Sequence, residues 1–432
     1  MKIIITLFGI GCFTYVQAQN VGIGTPTPQA RLHIKGNADT SQLLIDAHST
    51  QGNLRPLIRL RKSDGSDLLW IHSDDSSNIF IGKNAGRVNN RAGGGINNTF
   101  IGSGAGFFNT TGISNTANGI YSLRSNSTGN YNTAQGVQAL YSNSTGAGNT
   151  ANGYDALYSN LVGYANTAMG MYSLRGNANG YGNTANGYQA LYSNIFGYSN
   201  TAIGYQALYN NTHGDENVAI GDQAGLTSAF SSFCTYLGYH ADNTSGNTYD
   251  YSTALGTLAR ITGSGLVRIG NSATASIGGY TAWSTISDGR FKNNITESVK
   301  GLDFILNLRP VTYHLDVNKL SEYLGENIEE NKSKNDSKSI DLFQKAKSKA
   351  SEILHTGFIA QEVEAAAKKI GYDFSGVDIP KNENDLYALR YAEFVVPLVK
   401  AVQEQQTIIE QQQNKITDQE KRLSALEKLL NK

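Results

Sequence analysis

Asparagine falls at positions 98, 115, 132, 149, 166, 183, 200 and 217, and glycine follows each four residues later, at 102, 119, 136, 153, 170, 187, 204 and 221. A period of 17 residues, kept this strictly, leaves few architectures open. A unit so short buries too little surface to stand alone, so neighbouring units must share one continuous core, as in a solenoid. The working unit is Asn-Thr-Ala-x-Gly-x-x-Ala-Leu followed by a turn rich in Tyr, Ser, Asn and Gly, as in Asn183-Thr184-Ala185-Asn186-Gly187-Tyr188-Gln189-Ala190-Leu191. Looser units continue around Gly82, Gly238, Gly256 and Gly270. Two short strands per coil suit this spacing. The alanines two positions after each Asn (Ala117, Ala134, Ala151, Ala168, Ala185, Ala202, Ala219) are expected to line a narrow interior. Leu140, Leu157, Leu174, Leu191 and Leu208 would form a second apolar row. Columns of asparagine can hydrogen-bond up such a stack, and glycine allows its tight corners. With 47 glycines, 24 tyrosines and six prolines, the composition suits a repetitive β architecture better than a compact α/β enzyme.

The 432 residues carry 35 basic and 35 acidic side chains, so the whole chain offers no basic field for nucleic acid. The repeats are almost uncharged, whereas Lys and Glu gather after Ser287. The first residues have the pattern of a secretory signal: Lys2, a largely apolar run from Ile3 to Val16, and the small-residue site Val16-Gln17-Ala18, with cleavage expected after Ala18 or Gln19. Cys12 raises lipidation as an alternative, although no Leu stands three positions before it. No later stretch is long and apolar enough to span a bilayer. Removal of the signal leaves Cys234 alone, which excludes an intrachain disulfide. The division expected is a signal peptide at 1–19, an N-terminal β-region at 20–77, β-roll repeats at 78–284, a charged domain at 285–394 with a polar insertion at about 320–352, and a coiled coil at 395–432. Alternation in Leu57-Ile58-Arg59-Leu60 and Leu68-Leu69-Trp70-Ile71 marks strands in the N-terminal part.

Where the repeats end stands Ser287-Asp288-Gly289-Arg290-Phe291-Lys292. A serine and a lysine five residues apart can act as nucleophile and general base, provided the lysine is desolvated enough to be neutral. Ser-Asp-Gly is also an ordinary turn. Downstream come Asn294-Ile295, Gly301-Leu302, Leu308-Arg309-Pro310-Val311-Thr312-Tyr313, Gly357-Phe358-Ile359-Ala360-Gln361-Glu362-Val363 and Leu389-Arg390-Tyr391-Ala392-Glu393-Phe394. In this order and spacing, Thr285 to Lys432 resembles the peptidase S74 domain, the intramolecular chaperone of phage endosialidases and tail spikes. The resemblance implies a domain that trimerises, assists assembly of the β-rich part before it, and then cuts itself off. It implies Ser287 as nucleophile, Lys292 as base and Ile286–Ser287 as the scissile bond, so that any enzyme activity is that of a serine peptidase on its own chain. The insertion at about 320–352 and Ala365-Ala366-Ala367-Lys368-Lys369, in place of a Pro-rich continuation, depart from the family pattern. His355, beside these motifs, could tune the site.

From Val395 the apolar residues keep a seven-residue register, with Val395, Val402, Ile409, Ile416, Leu423 and Leu430 in one seam and Leu398, Gln405, Gln412, Gln419 and Leu426 in the other. This indicates a coiled coil, and the S74 resemblance points to a homotrimer. The repeats are similar to the left-handed parallel β-roll in the heads of trimeric bacterial adhesins, most clearly at Ala202-Ile203-Gly204 and Ala219-Ile220-Gly221. Asn20-Val21-Gly22-Ile23-Gly24-Thr25-Pro26, with Leu32-His33-Ile34, looks like the β entry of secreted tail-fibre-like proteins. The fold expected is therefore mainly β: a parallel solenoid, then an α+β chaperone domain and a coiled coil. The function expected is a secreted or cell-surface homotrimeric fibre that autocleaves. The alternative is an uncleaved trimeric adhesin whose Tyr/Asn shaft binds glycans or surfaces. A glycan hydrolase is less consistent with repeats whose acids are few (Asp155, Asp215, Glu216, Asp222). No cofactor is implied. His72-Ser73-Asp74-Asp75 and His213-Gly214-Asp215-Glu216 suit solvated turns better than metal sites.

Overall fold

The computed structural model describes residues 21–23, 25, 27–35, 43–46, 52–244, 247–281, 283–326 and 336–430. The expected signal segment, with Cys12, lies outside the described residues. A 14-stranded sheet forms the body of the molecule. It starts as an antiparallel hairpin, Ile58–Arg61 with Asp67–His72, and turns parallel from Ile79–Ile81 onward. Thereafter each coil adds one three-residue strand in register with the last, as when Thr184, Ala185 and Asn186 pair with Thr201, Ala202 and Ile203. The final strand, Val267–Ile269, pairs with Thr253–Leu255.

Two strands per coil were expected; the coils from Thr99–Ile101 to Val218–Ile220 have one, and a second strand appears only in the last coils, where Asp242–Asn243 pairs parallel with Arg260–Ile261. The reason lies in the pair Ala190-Leu191 and its equivalents, in which both neighbours are fully buried. A strand sends adjacent side chains to opposite faces, so it cannot turn both into the one narrow interior of the coil. The chain instead puts Gln189 and Leu191 in the left-handed region, at φ 56° and 51°, and both Ala190 and Leu191 face inward. The N–H of Leu191 then donates to Ala207 O on the next coil at 2.9 Å. Corner glycines have no substitute: Gly187 has φ 142°, and a Cβ there would lie 2.3 Å from Gly204 O.

The interior follows the expected rows. Ala117 through Ala219 and Leu140 through Leu208 are fully buried in one continuous cluster. Between them run two buried asparagine columns. In the first, Asn183 Nδ2 donates to Asn166 Oδ1 (3.1 Å) and to Gly197 O (2.8 Å), while Asn183 Oδ1 accepts from Asn200 N (3.0 Å). The second, Asn109 to Asn211, repeats Nδ2-to-Oδ1 links of 2.7–2.9 Å. At the N-terminal end Asp74 accepts from Nδ2 of Asn53, Asn78 and Asn89, which gives both columns an acceptor where no earlier coil supplies one.

After the solenoid comes a small α+β unit around Phe304, Val363, Ala367, Phe374 and Phe394. Strand Val311–His314 pairs antiparallel with Leu354–Gly357, and helix Ala360–Lys369 covers the core. The helix Val395–Leu430 closes the described chain. Its first turns pack on Gly301, where a Cβ would sit 2.7 Å from Ala401 N, and Glu404 accepts from Leu302 N at 2.7 Å. No described helix is long and apolar enough to cross a membrane.

Candidate active site

Asp288 starts a one-turn 3-10 segment, Gly289–Phe291, by accepting from Arg290 N at 2.9 Å. The Arg290 side chain pairs with the same carboxylate at 2.6 Å, and these bonds from Arg290 hold Asp288 below the usual carboxylate range. Lys292 N closes the turn on Gly289 O at 3.2 Å. The fold-back carries Lys292 over Ser287, and Lys292 Nζ donates to Ser287 Oγ at 2.7 Å. The two residues singled out in the sequence are therefore in direct contact. Both are exposed, as are their apolar neighbours: Trp283 at 85%, Ile286 at 90%, Phe291 at 76% and Ile295 at 78%.

The other motifs meet one another. Arg309 pairs with Glu362, its Nε 3.0 Å from Oε2, which holds that carboxyl low and joins the Leu-Arg-Pro motif to the Gln-Glu motif. Tyr313 stacks on His355 at 5.5 Å across the strand pair. Tyr391 Oη accepts from Phe358 N at 3.1 Å, and Arg390 pairs with Asp378. Tyr313, Phe358–Gln361, Leu386–Leu389 and Tyr391 surround a cleft of about 470 Å³ that Ser287 and Lys292 do not line.

Two expectations about side chains change. His72 is 5% exposed rather than solvated, since it faces Phe80 at 5.3 Å within the first coils, and burial lowers its pKa. His213 stacks between Phe196 (5.1 Å) and Phe230 (5.6 Å) as a rung of an aromatic ladder. The asparagine columns are inside the coil. Tyr164, Tyr181 and Tyr198 stack at 4.8 and 5.0 Å and within 4° of parallel, so they cover each other's faces and leave mainly edges to solvent.

Residues 287–372 match the family Peptidase_S74, described as chaperone of endosialidase. The chain thus carries an S74 chaperone segment preceded by a solenoid of stacked parallel coils. No curated protein and no solved structure gave a significant match to it.

Proposed function

We propose that this chain is a secreted, homotrimeric, fibre-like surface protein whose C-terminal S74 domain drives assembly and then cuts the chain between Ile286 and Ser287. The observation that carries the reading is the 2.7 Å contact between Lys292 Nζ and Ser287 Oγ at the start of the family match. With Lys292 as the neutral amine, it takes the Oγ proton while Oγ attacks the Ile286 carbonyl carbon. The C–N bond breaks and the proton passes to the Ser287 nitrogen, leaving an ester from Ile286 to Ser287 Oγ. Water hydrolyses the ester to an Ile286 carboxylate and a free Ser287.

Unpartnered apolar surface supports the trimer. Val402, Ile409, Ile416 and Leu423 on the long helix are 47–63% exposed. The outer face of the sheet carries Ile203, Ile220, Leu237, Leu255 and Ile269 at 37–40% exposure, one above another and without a charge among them. Slow non-local pairing in such a stack suits assembly by a trimerising tail, which raises local concentration and sets register. Glycan binding through the shaft has weaker support, because its two asparagine columns are buried and stacking covers faces of its tyrosines.

The test is a denaturing gel of the expressed protein beside Ser287→Ala and Lys292→Arg. Wild type should yield a C-terminal piece that begins at Ser287, and both variants should stay whole, since arginine keeps the charge but cannot serve as a neutral base. Normal cutting by Lys292→Arg would eliminate the lysine-base mechanism.

A further inference from the structure

Two segments beyond the cut grip the last coils of the solenoid. The first is the near end of the polar insertion. Glu326, 1% exposed, accepts from Ser272 N at 3.0 and 3.2 Å and from Ser272 Oγ. Beside it, Arg260 spans the junction: Nη1 donates to His240 O within the solenoid (2.7 Å) and Nη2 to Gly325 O across it (2.9 Å). The second segment is the loop before the strand Ala388–Leu389. Asp385 Oδ1 accepts from Thr262 Oγ1 at 2.8 Å and lies 3.5 Å from Arg268 Nη2, and Asn382 Nδ2 donates to Thr262 O at 3.0 Å. Thr262 is 1% exposed and the Asp385 side chain 8%, so these bonds form away from water, where they are strongest.

The connection between these two bodies has a different character. Between Ser276 and Ser287 every described residue is exposed, and a Cβ on Gly278 would touch nothing within 4 Å. The covalent link is thus an open stretch of chain, whereas the grip is a set of mostly part-buried hydrogen bonds, several of them charge-assisted. A solenoid end also needs a cap, because its last coil has no successor to satisfy it.

We infer that the C-terminal part is a docked cap as well as an assembly domain: after the chain is severed it stays on the shaft, held by Glu326 and Asp385 on the last coils. The inference extends the cleavage reading, but its test does not depend on self-cutting. A protease recognition sequence inserted between Gly278 and Gly279 of the full chain, in the Ser287→Ala background, lets the link be cut at will. The cut sample is then run on size exclusion and each fraction on a denaturing gel. Both pieces should coelute. In Glu326→Ala/Asp385→Ala the shaft should elute without the C-terminal piece, whereas Glu322→Ala, an exposed change on the neighbouring helix, should keep it. The substitutions lie outside the solenoid, and an unchanged far-UV spectrum before cutting checks that the chain still folds. Separation of the pieces in the parent protein would overturn the inference. So would coelution in the double variant, because the grip would then lie elsewhere. Absence of self-cutting in the unmodified chain would sink the cleavage mechanism and leave this result standing.

Discussion

Replacing Asn183 with Ala tests what holds the solenoid together. Its amide makes four links: Nδ2 to Asn166 Oδ1 (3.1 Å) and Gly197 O (2.8 Å), and Oδ1 from Asn200 N (3.0 Å) and Asn200 Nδ2 (3.2 Å). Three of the partners keep a second bond, namely Asn166 Oδ1 from Asn183 N, Gly197 O from Asn194 Nδ2, and Asn200 Nδ2 to Gly214 O. The backbone N–H of Asn200 loses its acceptor in a fully buried site. One orphaned buried N–H costs roughly 1–3 kcal/mol and each net bond lost about 1 kcal/mol, so the variant should lose about 3 kcal/mol or more. Asn183→Asp should be worse, because an anion would then face Gly197 O, itself an acceptor, with no buried cation beside it. Thr184→Ala, next door and exposed, should stay within about 0.5 kcal/mol of wild type. Urea unfolding followed by far-UV circular dichroism gives the energies, and hydrogen exchange should show the loss centred on the coils from Asn166 to Asn217. If Asn183→Ala matches Thr184→Ala, or Asn183→Asp is no worse than Ala, the asparagine column does not carry the stack.

Ile409→Asp with Ile416→Asp would set like charges in the proposed seam, and light scattering should then find monomers or aggregates; a stable trimer would refute the seam. Asp242, buried beneath Arg260, has its pKa pushed up to about 6 by desolvation against an ordinary value of 3.8. A raised folded-state value means that its contribution is complete below pH about 4 and is lost as pH rises through about 6, a swing of roughly 3 kcal/mol. Wild type should therefore gain stability relative to Asp242→Asn as pH falls from about 7 to about 5, and a constant difference between their thermal midpoints across that range would contradict the burial argument.

The solenoid was legible because its physics repeats. An Ala or a Leu every 17 residues announces a shared interior. The same period also marks Asn109, Asn126, Asn143, Asn160, Asn177, Asn194 and Asn211, a second column hidden in a turn that reads as merely polar. Ala-Leu side by side, at 139–140, 156–157, 190–191 and 207–208, already argues against a second strand in those coils, since a pleated segment cannot turn two neighbours into the same interior. Asp74, Arg260, Glu326 and Asp385 were not legible. Each acts once, against partners up to 123 residues away in sequence, and no local pattern predicts such a meeting. The serine and lysine were found because a short turn joins them, so their proximity is a local property of six residues.

Proximity alone does not make a catalyst, and this sets the expected order of events. Ser287 and Lys292 touch, yet both are open to solvent in the single chain. Water favours the ammonium form of a lysine, which can donate to Ser287 Oγ but cannot take its proton. What would exclude water is already alongside: Trp283, Ile286, Phe291 and Ile295, each more than three-quarters exposed, flank the dyad on both sides. These side chains gain nothing in isolation and lose apolar exposure when copies are drawn together, at about 25 cal/mol per Å². A trimer held by the long helices would bring three such clusters into reach and dry the lysine as it covers them. Assembly should therefore precede cutting. The Ile409→Asp/Ile416→Asp chain, monomeric by light scattering, should cut at least tenfold more slowly than wild type while keeping an intact Ser287 and Lys292. If those monomers cut at the wild-type rate, the turn suffices by itself and the coupling between assembly and cleavage is wrong.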